Sequence, residues 1–178
     1  ERPTHIFVQA GVGSLEAAVQ GVFASIYKEK CPITTIVEAN IADCFYQSAV
    51  AGDGNAVAVG GDLQTIMAGL ACGEANTIGW EMLKNHSSMF VSCPDWVSAN
   101  GMRILGNPLR NDPHIISGES GAVTTGLLVE MMQNDAYKEL REKLNINQDS
   151  KILLFSTEGD TDPYKYRSVV WDGECSKK

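Results

Sequence analysis

What is missing narrows this sequence first. No apolar run approaches the roughly 18 residues that a membrane-spanning helix needs. No CxxC pair occurs. The five cysteines, Cys31, Cys44, Cys72, Cys93 and Cys175, are scattered and odd in number. That argues against a zinc knuckle or a dithiol redox motif and for reduced, buried thiols in the cytoplasm. Basic residues are in deficit: 14 Lys and Arg stand against 22 Asp and Glu, a formal net charge of -8. Nucleic acids and anionic membranes both demand clustered Lys and Arg, so neither is expected as a partner. The N-terminus shows no charged start, apolar run and small-residue cleavage site in succession, so it does not read as a signal peptide. The three histidines, His5, His86 and His114, lie far apart, with none in a ligand-spaced pair, which argues against a metal centre. No GK[ST] and no GxSxG occurs, leaving a P-loop and a hydrolase elbow without support.

What is present reads as one α/β domain spanning residues 1–178. The chain is 44% hydrophobic and 20% charged, the proportions of an ordinary globular core. Residues 6–8 form a short apolar run, which Gly11 and Gly13 break. Leu15, Ala18, Val19, Val22 and Ile26 then recur at helical spacing. A second, β-branched run covers 33–37, and 39–51 has the composition of a helix stopping at Gly52-Asp53-Gly54. Strand, helix, strand and helix at this pace predict parallel neighbouring strands. Further strands are expected at 89–92 and 152–155. Further helices are expected at 78–84, after a capping Asp95, from Ser117 or Gly118 onward, over 135–143 and over 164–171. The Gly- and Ala-rich stretch 57–76 reads as a mobile loop with a short helix near 63–68. The sum is a three-layer arrangement, a mostly parallel sheet with helices on both faces.

Three polar constellations interrupt this pattern. Gly11-Val12-Gly13-Ser14 joins a strand to a helix start. Backbone N–H groups of a first helical turn lack intrahelical acceptors, and with the helix dipole they attract an anion. Glycine lets the backbone approach a phosphate closely. The same four residues also fit a plain strand-to-helix turn capped by Ser14. A dinucleotide fingerprint needs a small residue three positions after its second glycine. Here that position is Glu16, an acid beside the pyrophosphate, although Glu38 ends the second strand where a ribose-binding acid would stand. Ser117-Gly118-Glu119-Ser120-Gly121-Ala122 sets small residues around one acid at a helix start. Phe155-Ser156-Thr157-Glu158-Gly159-Asp160 places hydroxyls at the carboxyl end of a strand, the edge at which open α/β sheets bind ligands. A turn with local side-chain hydrogen bonds accounts for the last stretch equally well.

Taken in order, HIFVQAGVGS, then GMRILGNPL with IISGESGAVTTG, then LLFSTEGDTDP with YRSVVW resemble the C-terminal half of the diaminopropionate ammonia-lyases. These are pyridoxal-phosphate (PLP) enzymes of fold type II, the tryptophan-synthase-β-like class. The resemblance covers essentially all 178 residues. It implies that Gly11, Val12, Gly13 and Ser14 grip the PLP phosphate. It further implies that Ser156, with Thr157, faces the pyridine nitrogen and that Glu119 and Ser120 line the cofactor site. Cys72-Gly73-Glu74 would border the substrate entrance. The reaction implied is elimination of ammonia from 2,3-diaminopropionate to give pyruvate and ammonia, in amino-acid catabolism. No lysine here matches the family's cofactor-bearing motif: Lys28, Lys30, Lys84, Lys138, Lys143 and Lys151 all read as solvated. No catalytic residue is therefore expected in this chain, which reads as an inactive fragment needing an N-terminal half that carries the lysine and the proton-abstracting carboxylates. Oligomerisation or poor solubility would follow from the apolar surface such a fragment exposes, and the resemblance implies a homodimer. A sister threonine or serine dehydratase and a nucleotide-binding Rossmann-like domain are the rival readings.

Overall fold

The computed structural model describes residues 1–177. Four strands, β1 (His5–Gln9), β2 (Ile33–Ala39), β3 (Met89–Cys93) and β4 (Ile152–Leu154), form one sheet in the order β3-β2-β1-β4. Every pairing is parallel, with His5 opposite both Ile33 and Ile152. The expected strand positions and the parallel β1–β2 pair are therefore present. Parallel strands covered on both faces are apolar along their whole length, and all five residues of β1 are buried.

Alternation divides those residues between two cores. Ile6, Val8 and Ile36 pack with Phe45, Trp80 and Leu83, under α1 (Ser14–Tyr27), α2 (Cys44–Ala51) and α3 (Thr77–His86). Phe7 and Val37 pack with Val97, Val123 and Leu127, under α4 (Asp95–Gly106) and α5 (Glu119–Gln133). Each large apolar side chain buried in this way contributes about 1.5–3 kcal/mol. A short α6 (Lys138–Lys143) and α7 (Pro163–Val170) complete the chain. Asp162 caps α7 through the N–H groups of Tyr164 and Lys165, each at 3.1 Å, ahead of a proline at the first helical position.

Helices α4 and α5 touch backbone to backbone. A Cβ on Gly126 would fall 1.9 Å from the carbonyl oxygen of Val97, and one on Gly101 would fall 2.1 Å from that of Ala122. Neither obstacle is a flexible side chain, so the helices must separate to admit a methyl group. Gly126→Ala is expected to lower the unfolding free energy by about 3 kcal/mol, read from the urea midpoint.

Two stretches depart from the sequence expectation. The second helix begins at Cys44 rather than near Ala39, because β2 runs on to Ala39. Its start is fixed by the buried Glu38 carboxylate, which accepts from Phe45 N–H at 2.9 Å and Tyr46 N–H at 2.7 Å. The helix expected at 63–68 does not form. Leu63 has a φ of 47°, outside the helical region, and a 3-10 turn at Ala68–Leu70 stands instead. Thr65 O–H and Ile66 N–H donate to the Asp95 carboxylate, the latter at 3.3 Å. Asp95 thus ties this loop to the start of α4 as its first residue; the capping position before it is Pro94. Among the described residues no helix is long and apolar enough to cross a membrane.

Candidate active site

The strand order sets the position of the site. From β1 the chain crosses through α1 to β2, while β4 pairs with the other edge of β1. The connections diverge between β1 and β4, and open α/β sheets bind ligands at the carboxyl ends of such a pair. A cavity of about 520 Å³ lies there. The turn Gly11-Val12-Gly13-Ser14 forms one wall, Ser120 at the start of α5 another, and Thr157 with Glu158 a third. Residues distant in sequence are thereby brought around one space. A larger cavity, about 670 Å³, lies by Leu105, Leu109 and Ile115, away from all three constellations.

The turn is built for close backbone approach. Gly13 has a φ of 95°, and a Cβ there would fall 2.4 Å from Phe45 Cζ. A Cβ on Gly11 would meet the carbonyl oxygen of Gly69 at 3.0 Å. Behind the turn, Asn76 N–H donates to Val12 O at 2.8 Å, and the Asn76 side chain caps α3 through Gly79 N–H at 2.9 Å. At the front, the first-turn N–H groups of α1 face an end of the helix that has no preceding turn to accept them. The N-terminal position before Ser14 is Gly13, and no side chain caps it. The Ser14 cap anticipated from sequence is therefore not made.

The opposite walls are held by Glu158. Its carboxylate accepts from Ser120 N–H at 2.7 Å, and its carbonyl from Gly118 N–H at 3.0 Å. Glu158 thus anchors the β4–α7 segment to the N-terminus of α5, where a negative charge is favoured. Ser120 Oγ in turn accepts from Gly69 N–H at 3.2 Å. Thr157 Oγ1 accepts from Gln9 Nε2 at 2.6 Å.

Of the residues expected at the site, Gly11, Val12, Gly13, Ser14, Ser120 and Thr157 line the cavity, as does Cys72. Glu119 and Ser156 stand outside its lining. Ser156 donates to Ser117 Oγ at 2.9 Å, which turns its hydroxyl toward the buried start of α5. Burial pushes the Glu119 carboxyl up, with the charge of Glu158 adding to it. Sequence reasoning passed over Gln9, Gly69, Leu70 and Thr161, which also line the cavity. Gln9 carried a signal: it is a polar residue at the carboxyl end of the otherwise apolar run Ile6-Phe7-Val8.

Two acids govern the electrostatics. Glu16 lines the cavity and is 3% exposed, and its Oε2 has no hydrogen-bond partner. Burial pushes its carboxyl up to about 7, against the pull of the Glu16 and Gly11 N–H groups. Burial also pushes Glu38 up to about 8, against the N–H groups of Phe45 and Tyr46. With both oxygens committed to α2, Glu38 is not presented to a ribose, so the dinucleotide reading loses the one acid that favoured it.

The remaining titratable residues serve elsewhere. His5 is buried and its Nε2 bonds the Leu144 carbonyl at 2.8 Å. No metal-holding group of His, Cys, Asp and Glu occurs among the described residues. Among the described residues no lysine lines the cavity. Lys84 binds Glu81 and the Gly54 carbonyl, and Lys151 pairs with Glu1. The five cysteines are free.

No family model matches the chain. It is 52% identical over 172 residues to the diaminopropionate ammonia-lyase of Escherichia coli K12, and 47% identical over 175 residues to that of Salmonella typhimurium. These alignments take in 97% and 98% of the chain but 43% of each relative. A crystal structure of the Escherichia coli enzyme in complex with an aminoacrylate-PLP azomethine reaction intermediate superposes with a TM-score of 0.90 at 49% identity, covering 99% of this chain and 44% of that one. The processed form of threonine deaminase isoform 2 from Solanum lycopersicum shares the fold alone, with a TM-score of 0.74 at 18% identity, over 94% of this chain and 43% of that one. The α/β architecture is thus that of the fold type II PLP enzymes, and over nearly its whole length the chain is similar to a diaminopropionate ammonia-lyase while spanning less than half the length of the relatives it matches.

Proposed function

We propose that this chain is the C-terminal part of a PLP-dependent lyase that eliminates ammonia from 2,3-diaminopropionate, leaving pyruvate and ammonia. The observation that carries the reading is one cavity walled by the glycine turn, Ser120 and Thr157, in a chain half identical to diaminopropionate ammonia-lyases. The residues fit the cofactor. At the turn, the left-handed Gly13 is backed by the Phe45 ring, with no room for a side chain, and the first-turn N–H groups of α1 are those an anion would take. One buried polar atom at the wall away from the turn, Gln9 Oε1, has no protein partner.

In this reading Gly11, Val12, Gly13 and Ser14 hold the phosphate on their N–H groups and the Ser14 hydroxyl. Thr157 meets the ring nitrogen, and Ser120 and Glu158 keep the far wall in place. Ser156 and Glu119 support that wall from behind. Bound PLP supplies an electron sink for bond breaking at the substrate. The cofactor-bearing lysine and the groups that move the α-proton belong to the rest of the protein. The chain by itself is a single α/β domain without activity. We place the enzyme in the cytoplasm and in amino-acid catabolism. We also read it as a homodimer, supported by the exposed apolar side chains of Leu109, Ile78 and Trp171.

The test is an assay of the full-length protein with PLP and 2,3-diaminopropionate. Pyruvate release supports the assignment. Turnover of threonine or serine with no pyruvate from diaminopropionate moves it to a dehydratase.

A further inference from the structure

Gln9 ends β1 on the side of the sheet that Phe7 shares with α4 and α5. It is 1% exposed, and it lines the cavity together with Thr157. Its Nε2 lies 2.6 Å from Thr157 Oγ1, and its Oε1 has no partner. The polarity of this contact follows from what each amide orientation would strand. With nitrogen toward Thr157, the carbonyl oxygen and one of the two N–H donors are left unpaired. With oxygen toward Thr157, an NH2 group carrying two donors is left unpaired. Orphaned buried N–H groups are the rarer state, and every unmade buried bond has a desolvation cost. Gln9 is therefore the donor and Thr157 Oγ1 the acceptor. A threonine hydroxyl has one proton, and this contact leaves that proton free for the cavity. The neighbouring hydroxyl of Ser156 is already directed to Ser117.

We propose that Gln9 is a positioning residue: by donating to Thr157 Oγ1 it makes the Thr157 hydroxyl a donor, so that the site prefers a ring nitrogen bearing a lone pair over one bearing a proton. The inference rests on the reading that the cavity holds PLP with its ring nitrogen at Thr157. Gln9 itself touches neither phosphate nor substrate in this account. It acts through the one hydroxyl it orients.

The experiment uses the full-length holoprotein loaded with PLP carrying 15N at the ring nitrogen. Wild type is compared with Q9E, Q9M and Thr157→Val. The readouts are the 15N chemical shift across the neutral pH range and the PLP stoichiometry by absorbance. Other titratable groups on the wall are Glu16 from α1, Cys72 from the 57–76 loop and Glu158 from the segment after β4, so variants are compared with wild type at each pH. Wild type is expected to keep the shift of an unprotonated ring nitrogen. The carboxylate introduced by Q9E accepts only. It draws the Thr157 proton toward itself and raises the protonated fraction of the ring nitrogen about tenfold, one unit of apparent pKa. Q9M removes the donor without adding an acceptor and moves the shift in the same direction by less. Thr157→Val abolishes the difference between the residue-9 variants. Identical 15N titrations for wild type and Q9M, with PLP bound to both, overturn the inference even if Q9E does not fold, and leave the PLP reading intact. Failure of wild type to retain PLP overturns the PLP reading, and this one with it.

Discussion

Gly13→Ala is expected to lower the unfolding free energy by about 3 kcal/mol and to weaken PLP retention by the full-length protein. Two costs combine. A left-handed backbone costs an L-residue roughly 1–2 kcal/mol, and Gly13 has a φ of 95°. The added Cβ would also sit 2.4 Å from Phe45 Cζ, and Phe45 is fully buried with no space to retreat into. Overpacking of this kind costs about 1–3 kcal/mol. Either the ring or the turn must move, and a moved turn no longer presents its N–H groups to one point. The two costs separate in a double-mutant cycle with Phe45→Leu. In that background Gly13→Ala should cost about 1–2 kcal/mol less, because the backbone cost alone persists. An equal cost in both backgrounds would show that the ring is not the obstruction.

The second large effect is a pH dependence of stability carried by Glu16. Its carboxyl titrates near 4.5 when unfolded and at about 7 when folded. Between those values the folded chain holds a proton that the unfolded chain has released. Stability therefore falls as pH rises through that window and levels off above about 7. The difference between the two values corresponds to about 3 kcal/mol. Glu16→Gln keeps the shape and removes the ionisation. Urea midpoints of the variant and the parent should nearly coincide at the acid end of the window and diverge toward its alkaline end, with the variant more stable. Glu38 declines over a similar range, extending to about 8, and contributes equally to both proteins. Parallel curves for the two proteins would mean that Glu16 reaches water when it ionises.

The sheet and the glycine turn were legible because their cues are local. β1, the break at Gly11 and Gly13 and the apolar stripe of α1 all lie between His5 and Tyr27. The start of α2 was not legible, because its boundary is set by a side chain on the preceding strand: Glu38 reaches the N–H groups of Phe45 and Tyr46. The 57–76 stretch was the least legible. Its conformation depends on partners far along the chain, such as Asp95 for Thr65 and Ser120 for Gly69. At the site, residue types pointed to hydroxyls after β4 but not to which one the cavity takes. That choice rests on Ser117 claiming Ser156 and Gln9 claiming Thr157, two contacts that close only once the sheet has formed.

The pairing of β1 with β4 has a consequence for how this protein is made. Thr4 and Lys151, 147 residues apart, are bonded beside the strands that flank the cavity. On a ribosome the glycine turn is synthesised well before its opposite wall. Closing so long a loop is entropically unfavourable until the intervening layers have packed. The cavity therefore closes only once residue 157 has been made, and a nascent chain stalled before it would display the turn with nothing across from it.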